Sequence, residues 1–315
     1  MCVVCVFVCM IMGESSTAIV SNTSRVWLIS LSLSLSIHIA GANMMVHLDT
    51  KGTSLEKSEV DLGVSTKGQA EDFCTAIDLL NESIVTDAIR RSFPSHKIIG
   101  EESTGTDEPA PLTTDPTWII DPIDGTANFA SGLPLACVSI GYCVGGKPVL
   151  GVVYAPATDE LYMAIRGHGA YRNRVRIVPH NSNDKTLERA VVNYEFGYAR
   201  DEASVSRMVR AVQNVVNHGC RTTRTLGSGV LDICYVASGR LDVVYAGVAS
   251  EGWKPWDYCA GLVVALETNC AVQALVQDQE EETEDKEFSL YSKSIICAVS
   301  KTLLDEARSV ILQGL

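Results

Sequence analysis

The chain has 315 residues, of which 46% are hydrophobic and 20% charged, a composition that supports a large buried core and argues against a disordered protein. Its formal net charge is −13 and no cluster of lysine and arginine could form a basic face, so we expect no nucleic-acid partner. Because bound cations can reverse the local field of an acidic protein, the charge favours a metal site over direct capture of anions by basic side chains.

The N-terminal region contains two apolar stretches, at residues 1–12 and 26–40. Neither is an uninterrupted apolar run of membrane-spanning length, and the first lacks the basic start of a secretory signal, so we expect no membrane association. The eleven cysteines show no disulfide framework, which is typical of reduced thiols in an intracellular protein. We predict a cytoplasmic protein with a leader at residues 1–25 outside the fold, and leave targeting by residues 1–40 open.

The first part of the body reads as one helix followed by a sheet. Apolar residues at helical spacing predict a helix over 78–93, which Pro94 ends. Short β-rich runs predict strands at 97–99, 118–120, 135–144, 148–155, 160–165 and 170–178. Gly145 and Gly146 predict a hairpin between two of these strands. We assign residues 26–188 to an N-terminal α+β half.

The second part alternates strands and helices, which is typical of a layered α/β arrangement. The predicted strands are 190–196, 241–247 and 294–299, and the predicted helices are 203–217, 228–238, 257–267 and 301–313. We assign residues 189–315 to a C-terminal α/β half. The acid-rich segment 277–287 is predicted to be a solvated surface loop.

The segment Asp121–Thr126 reads Asp-Pro-Ile-Asp-Gly-Thr and follows a short buried strand. Proline fixes the turn between the two aspartates, and glycine permits close approach of a ligand. Carboxylates so close repel each other unless a cation lies between them, and Mg²⁺ prefers hard oxygen ligands. The next helical turn could offer free N–H groups to a phosphate. Taken alone, the segment fits equally well a turn in which each aspartate caps local N–H groups.

Further acidic residues favour the metal site. Glu101 and Glu102 follow a strand, and Asp257 stands where a helix begins, a position at which it could also be an N-cap. Acidic residues at three such junctions are what a two-metal phosphatase needs. Hydrolysis of phosphate monoesters is among the slowest uncatalysed reactions, so water must be activated and the leaving oxygen stabilised. Thr126 and Glu101 have the chemistry to orient that water and take its proton.

Three segments together resemble the signatures of the inositol monophosphatase family: Gly100–Ser103, Trp118–Phe129 and Pro255–Gly261. The resemblance covers roughly residues 65–270. It implies an α/β fold arranged as a five-layer αβαβα sandwich, a homodimer and inhibition by lithium. It also implies Mg²⁺-dependent hydrolysis of a small phosphate monoester, inositol monophosphate, to myo-inositol and phosphate.

The resemblance further implies roles for individual residues. Expected Mg²⁺ ligands are Glu101, Asp121, the Ile123 carbonyl, Asp124 and Asp257. Thr126 and Glu101 are expected to activate the attacking water, and Asp78 to be an outer carboxylate near the metals. Expected substrate contacts are Asp124, Gly125, Thr126, Ala127, Gly227, Ser228, Gly229, Glu251 and Asp257.

Two departures from the family pattern accompany the resemblance. Ile77 stands where the family has a second threonine before Asp78, and Glu267–Cys270 replaces a Glu-Ala-Gly-Gly turn.

Alternatives within the superfamily are a 3′(2′),5′-bisphosphate nucleotidase, a histidinol-phosphate phosphatase and a fructose-1,6-bisphosphatase-like enzyme; Asn128 and Phe129 favour the inositol phosphatases. An inactive relative that binds a ligand or partner is a different class of function, disfavoured because competent residues fill all five expected metal positions.

Overall fold

The structure is a computed structural model that describes residues 23–54, 63–66, 73–181, 184–250, 252–276 and 287–315. The helices are α1 Thr23–Leu48, α2 Ala76–Ser92, α3 Glu101–Thr104, α4 Thr126–Ser131, α5 Glu202–His218, α6 Gly229–Ala237, α7 Pro255–Leu266 and α8 Lys301–Ile311. The strands are β1 Ser65–Thr66, β2 Phe73–Cys74, β3 Lys97–Gly100, β4 Thr117–Asp124, β5 Cys137–Val144, β6 Lys147–Ala155, β7 Glu160–Ile165, β8 Gly169–Arg172, β9 Val175–Arg176, β10 Val191–Glu195, β11 Thr222–Arg224, β12 Val243–Ala246, β13 Ala271–Gln273 and β14 Ile295–Ala298.

These elements stack in five layers, with two large sheets between three layers of helices. Helices α1 and α2 pack together against a seven-stranded sheet of order β3-β4-β5-β6-β7-β8-β9. Helices α6 and α7 contact both this sheet and a five-stranded sheet of order β11-β10-β12-β14-β13. Helices α5 and α8 pack together beside the second sheet. The αβαβα prediction is therefore confirmed.

Strand β4 lies next to the edge strand β3 in the first sheet, and all of its residues are buried. Trp118 and Ile120 lie in the core beneath α1 and α2, whereas Ile119 lies in the core shared with α6 and α7. The two faces alternate because successive side chains of a strand point in opposite directions. Helices cover both faces, so the sequence of β4 is apolar without alternation, which is the feature that identified it.

Most predicted helices and strands of the body are present with shifted ends, and the predicted hairpin is the β5–β6 turn. The prediction of a single strand over residues 170–178 was wrong. It forms the antiparallel strands β8 and β9, joined by Asn173 and Arg174 in the left-handed region at φ +48° and +69°. The short strands β11 and β13 were not predicted, because each has only three residues and borders its sheet.

Helix α1 begins at Thr23, so the predicted leader boundary at residue 25 falls inside a helix. Ile37, Ala40 and Met44 are buried against the first sheet.

Residues 1–22 and 277–286, which hold most of the leader and of the acidic segment, lie outside the described residues. Within the described part of the chain, no helix combines the length and apolar character needed to cross a membrane. The division into halves at residue 188 stays a prediction.

The Glu267–Cys270 turn lacks the glycines expected there, and Asn269 takes over the left-handed conformation at φ +61°. Asparagine tolerates this region better than most residues because its short polar side chain can form local hydrogen bonds. The Glu267 carboxylate accepts hydrogen bonds from the N–H groups of Gly167 and Gly169, both at 2.7 Å. Glu267, which this chain shares with the expected turn, thus joins the end of α7 to the β7–β8 turn, and neither it nor Asn269 lines the pocket described next.

Candidate active site

A pocket of about 830 Å³ opens where strands β3 and β4 meet the first residues of α3, α4 and α7. Strands β3 and β4 are parallel, and Gly100 pairs with Ile120. The next residues, Glu101 and Asp121, are therefore brought to the same edge of the sheet. The predicted site residues that line the pocket are Glu101, Asp121, Ile123, Asp124, Gly125, Thr126, Ala127, Gly227, Gly229 and Asp257.

Three carboxylates converge in this pocket. Asp121, Asp124 and Asp257 each offer an oxygen that lies within 4.8 Å of the corresponding oxygens of the other two. The two β4 aspartates are buried, and Asp257 is half-buried in the first turn of α7. Lys254 is the N-cap of α7, and the Asp257 carboxylate, three residues later, accepts the Lys254 N–H through its Oδ2 at 2.6 Å. Asp257 is therefore not the N-cap that its place before the helix suggested, but its carboxylate still accepts a hydrogen bond at the helix start while it faces the other two carboxylates.

The local conformation at Asp121 differs from the prediction. We expected the strand to end at Asp121 and a turn to follow, but β4 continues to Asp124. A register shift against β5 between the two aspartates takes the place of the turn. Such bulges re-aim side chains of a strand. The Ile123 N–H donates to Asp121 Oδ1 at 3.0 Å, which holds this side chain against its own backbone.

Glycine is required at position 125. Its φ is +86°, in the left-handed region. A Cβ there would lie 2.8 Å from the Leu135 carbonyl oxygen and 3.0 Å from the Gly227 carbonyl oxygen. Gly125 therefore lets β4 turn directly into α4 while the 227–229 segment approaches it.

Asp124 is held by several donors. Its Oδ2 accepts hydrogen bonds from the Ser228 hydroxyl, from the Val230 N–H at 3.0 Å and from the Cys137 thiol at 3.6 Å. Ser228 was predicted to contact substrate, but it is buried and does not line the pocket. Its visible role is to orient Asp124. Glu251, another predicted substrate contact, lies outside the described residues.

Glu82 positions Glu101 and was not identified from the sequence. It is buried in α2, and its carboxylate accepts the N–H groups of Glu102 and Ser103, both at 2.8 Å. These are free N–H groups of the first turn of α3, the short helix that begins with Glu101. Gly100 is required here because a Cβ would lie 2.6 Å from the Glu82 carboxylate. The sequence feature that could have identified Glu82 is its spacing, because it follows Asp78 by one helical turn and therefore lies on the same face of α2.

Because Glu101 is expected from the sequence to be a metal ligand, we expect Glu82→Gln to lower kcat about tenfold, the effect typical of losing a group that orients such a ligand. Glutamine keeps the volume but loses the negative charge that binds two N–H groups, so Glu101 is held less firmly. Steady-state hydrolysis of a phosphate monoester measures the effect. Asp87→Asn, an exposed change on the same helix, is the matched control. Equal kcat for both variants would show that α3 does not need this cap.

Thr126 and Asp78 form a second polar group beside the three converging carboxylates, which are called the carboxylate cluster below. The Thr126 hydroxyl lies 2.9 Å from the Ile123 carbonyl oxygen and 3.3 Å from Asp78 Oδ1. Asp78 is fully buried, and its Oδ2 accepts the Thr75 N–H at 2.8 Å as well as the Thr75 hydroxyl. Ile77 instead packs against the apolar core. Thr75 thus holds Asp78 without a hydroxyl at position 77.

Glu195 is a second pocket residue that was not identified from the sequence. It ends β10, lines the pocket, and accepts the N–H groups of Leu226 at 2.7 Å and Gly227 at 2.9 Å. Its carboxylate therefore fixes the segment that precedes Ser228. The sequence feature that could have identified Glu195 is a carboxylate at the end of a predicted strand, the same feature that identified Asp121.

Asn128 and Phe129 serve the scaffold. The Asn128 side chain donates to the Leu226 carbonyl at 2.6 Å and to the Leu135 carbonyl at 2.9 Å. Phe129 is fully buried in the core. Neither lines the pocket. The pair therefore provides no direct contact by which to discriminate between inositol and nucleotide substrates.

The electrostatics of the cluster fit a cation. Burial, with the charges of Glu101, Asp124 and Asp257, raises the pKa of Asp121 well above its ordinary value. Burial raises the pKa of Asp124 to about 6, although the Ser228 and Val230 donors oppose this shift. Ionising both is therefore unfavourable without a compensating positive charge. Carboxylate and carbonyl oxygens are the donors that Mg²⁺ prefers, so this donor set fits such an ion.

These shifts predict a pH dependence of stability in the presence of a chelator. The folded pKa of Asp124 exceeds the unfolded value of 3.8, so the folded state binds more protons between pH 3.8 and about 6. The free energy of unfolding should therefore fall as pH rises through this window, by on the order of 3 kcal/mol. Urea unfolding with EDTA, of wild type and of Asp124→Asn, isolates the contribution of this group. A difference between them that does not change with pH would contradict the assignment.

Comparison with known proteins places this geometry in context. Residues 32–312 match the family model described as the inositol monophosphatase family. Inositol monophosphatase 1 of Solanum lycopersicum is 41% identical over 64% of this chain and 71% of its own length. Inositol monophosphatase 2 of Homo sapiens is 37% identical over 65% of this chain and 69% of its own length.

Solved structures agree with the sequence comparison. The extragenic suppressor protein suhB from Bartonella henselae superposes with a TM-score of 0.74 at 26% identity, covering 91% of this chain and all of that one. The IMPase of Thermotoga maritima superposes with a TM-score of 0.70 at 30% identity, covering 90% of this chain and 96% of that one.

Proposed function

The chain belongs to the inositol monophosphatase family and is a phosphatase of that family, and from this premise we propose that it hydrolyses inositol monophosphate to myo-inositol and phosphate with Mg²⁺ as its cofactor. The observation that carries the proposal is the convergence of Asp121, Asp124 and Asp257 beside Glu101 and Thr126 in one pocket. The choice of inositol rests on the relatives of 37–42% identity that bear this name.

The proposed ligands of Mg²⁺ are Glu101, Asp121, the Ile123 carbonyl, Asp124 and Asp257. When bound, the cation supplies positive charge that stabilises the phosphate and leaving-group oxygens and makes water more acidic. The chain itself fixes the ligands: the bulge aims Asp121, Ser228 and Val230 hold Asp124, and the Lys254 N–H donates a hydrogen bond to Asp257.

The attacking water is proposed to lie between Glu101 and Thr126. The Thr126 hydroxyl has one proton and two acceptors, the Ile123 carbonyl and Asp78 Oδ1, so its lone pairs remain available to accept a hydrogen bond from water. The Glu101 carboxylate then takes the proton as the P–O bond to water forms. The bond from phosphorus to the ester oxygen breaks, and inositol leaves once that oxygen gains a proton.

The substrate is proposed to contact the segments that close the pocket around the cluster. Gly125, Thr126 and Ala127 at the start of α4 are the proposed phosphate contacts. Gly227 and Gly229 are the proposed contacts to the ring; Glu195 holds the first of them in place. This arrangement positions the phosphate against the carboxylates and the ring against the 227–229 segment.

The test is release of phosphate from inositol 1-phosphate with and without Mg²⁺, with adenosine 3′-monophosphate as a parallel substrate with one phosphate. We expect release that depends on Mg²⁺ and a higher kcat/KM for the inositol ester. A preference for the nucleotide would assign the enzyme to nucleotide hydrolysis. No release from either would contradict the proposal and favour an inactive relative.

Two other properties are proposed from the family resemblance. Lithium should inhibit phosphate release, and the protein should form a homodimer, with a mass in solution twice the 34.0 kDa of the chain. Inhibition assays and light scattering after size-exclusion chromatography test them separately. A mass of one chain, or activity that lithium does not change, would overturn the corresponding proposal.

A further inference from the structure

Three polar side chains meet beside the pocket, between strand β10 and helix α6. Asn193 and Glu195 are two residues apart in β10, so their side chains lie on the same face of the strand. Asp232 lies in α6 and, like Asn193, is fully buried. The Asn193 Nδ2 donates to Asp232 Oδ2 at 2.9 Å and to Glu195 Oε1 at 3.1 Å. Two carboxyl groups are thus held around one amide nitrogen, and the proposed reaction uses neither Asn193 nor Asp232.

This group of side chains has too few hydrogen-bond donors for its acceptors. Asp232 Oδ1 and Asn193 Oδ1 are buried, and neither has a hydrogen-bond partner among the residues that the structure describes. Buried polar atoms without a partner are rare in folded proteins. One added proton would supply a missing donor, because a neutral carboxylic acid has an O–H group whereas a carboxylate only accepts.

The electrostatics favour a proton on Asp232. Burial raises the pKa of Asp232 well above its ordinary value, and the charge of Glu195 together with a hydrogen bond between the two side chains raises it further. The charge of Asp124 on β4 acts in the same direction, and the Asn193 amide opposes it. The Cys234 thiol on α6 also interacts with this carboxyl, and burial raises its pKa, so it adds no charge. The negative charge of the carboxyl pair is therefore placed on Glu195.

Glu195 connects these side chains to the pocket. Its Oε1 accepts the N–H groups of Leu226 at 2.7 Å and Gly227 at 2.9 Å, and its Oε2 lies 3.3 Å from the Thr225 hydroxyl. The Leu226 carbonyl accepts the Asn128 side chain at 2.6 Å. Both backbone polar groups of Leu226 are therefore bound by side chains of other elements. The position of Gly227, which lines the pocket, depends on how firmly Glu195 is held.

We propose that Asp232 is a positioning residue: its carboxyl group stays protonated in the folded protein and donates a hydrogen bond to Glu195, which in turn holds the backbone at Leu226 and Gly227. The effect on substrate rests on the proposed function, in which Gly227 contacts the inositol ring. Hydrogen bonds to a charged group are stronger than neutral ones, and a buried environment strengthens them. Asp232 acts through Glu195, because it does not itself line the pocket.

Two substitutions of Asp232 separate the donor from the charge. Asp232→Ala removes the donor and should raise KM for inositol 1-phosphate about tenfold, the effect of one hydrogen bond to a charged group. We expect a much smaller change in kcat, because the carboxylate cluster is left intact. Asp232→Asn keeps the volume, and its amide can donate to Glu195 and accept from Asn193, so KM should stay close to the wild-type value.

Asp242→Ala is the matched control for these assays. Asp242 is also a buried aspartate, it accepts the Val191 N–H of the same strand β10 at 2.7 Å, and it does not line the pocket. This variant should lose stability without a rise in KM. A wild-type KM for folded Asp232→Ala would overturn the proposal, and so would a KM for Asp232→Asn as high as that of the alanine variant.

The pH dependence of unfolding tests the proton itself. The ordinary pKa of aspartate is 3.8 and the folded value is higher, so the folded wild type binds more protons than the unfolded chain and loses stability as pH rises. Asp232→Asn lacks this group. The unfolding constant of wild type divided by that of Asp232→Asn should therefore rise about tenfold per pH unit between about pH 5 and about pH 6. Urea unfolding measures this ratio, and a constant ratio would overturn the proposal.

An infrared difference spectrum of wild type and Asp232→Asn at neutral pH locates the proton without any substrate. We expect the C=O stretching band of a protonated carboxylic acid in wild type that is missing from the variant and shifts in D₂O; its absence would overturn the proposal. If no ester is hydrolysed, the proposed function fails, while the unfolding and infrared measurements still decide whether Asp232 keeps its proton. They do so as well if Asp232→Ala does not fold, because neither uses that variant.

Discussion

Asp124→Asn is expected to lower kcat by roughly 10³-fold or more, because electrostatic stabilisation of the transition state depends on charges held at fixed positions. The substitution removes one negative charge from the three converging carboxylates and leaves the side-chain volume unchanged. The asparagine oxygen can still accept hydrogen bonds from Ser228 and Val230, so the fold should persist. Since burial already disfavours the ionised carboxylate, the variant should be at least as stable as wild type in EDTA.

Steady-state phosphate release and urea unfolding together test this prediction. Asp115→Asn is the matched control, because Asp115 is an exposed partner of Lys97 outside the pocket. Full activity of Asp124→Asn would show that the metal assignment is wrong. Loss of activity together with loss of the folded state would show instead that Asp124 is structural.

Thr126→Ala is expected to lower kcat about 10²-fold, the range associated with losing one positioned proton-transfer group. The change removes the hydroxyl that lies between the Ile123 carbonyl and Asp78 and that is proposed to orient the attacking water. The substitution also removes the donor that Thr126 provides to Oδ1 of the buried Asp78, although Thr75 still donates to Oδ2.

Thr126→Ser separates the hydroxyl from the rest of the side chain. It should retain most of the activity, because serine keeps the hydroxyl and loses only a methyl group. Thr158→Ala, at an exposed threonine outside the pocket, is the control for the loss of any threonine. A serine variant as slow as the alanine variant would show that Thr126 acts through its shape and not through its hydroxyl.

The structural features that could be predicted from the sequence are those that depend on residues close together in the chain. The apolar run of β4, the helical spacing in α2 and the Gly145-Gly146 turn each depend on neighbouring residues. The carboxylates at 101, 121, 124 and 257 were identifiable because each adjoins the end of a predicted strand or the start of a predicted helix. Parallel pairing of β3 with β4 then brings Glu101 and Asp121 to one edge of the sheet.

The features that sequence did not predict depend on contacts between distant residues. Glu82 caps a helix about twenty positions later, and Glu195 fixes a segment more than thirty positions away. Ser228 lies in the predicted site segment, but only the fold shows that it contacts Asp124 and not the pocket. The bulge between Asp121 and Asp124 likewise arises from pairing with β5, which the local sequence does not encode.

Helix α1 shows how a local pattern can mislead. Residues 31–36 alternate leucine and serine, a period of two that is more typical of a strand than of a helix, yet the backbone is helical there. Packing against the first sheet and α2 outweighs this pattern. Asn128 and Phe129 show that residues of a family motif can support the scaffold without lining the pocket.

The most direct test of the central claim is anomalous diffraction from crystals grown with Mn²⁺, an ion that binds carboxylate sites similar to those of Mg²⁺. We expect anomalous peaks about 2 Å from the carboxylate oxygens of Asp121, Asp124 and Asp257, and their loss or weakening in Asp124→Asn. Ordered Mn²⁺ found only elsewhere in a protein that hydrolyses phosphate esters would contradict the claim that these three carboxylates form its metal centre.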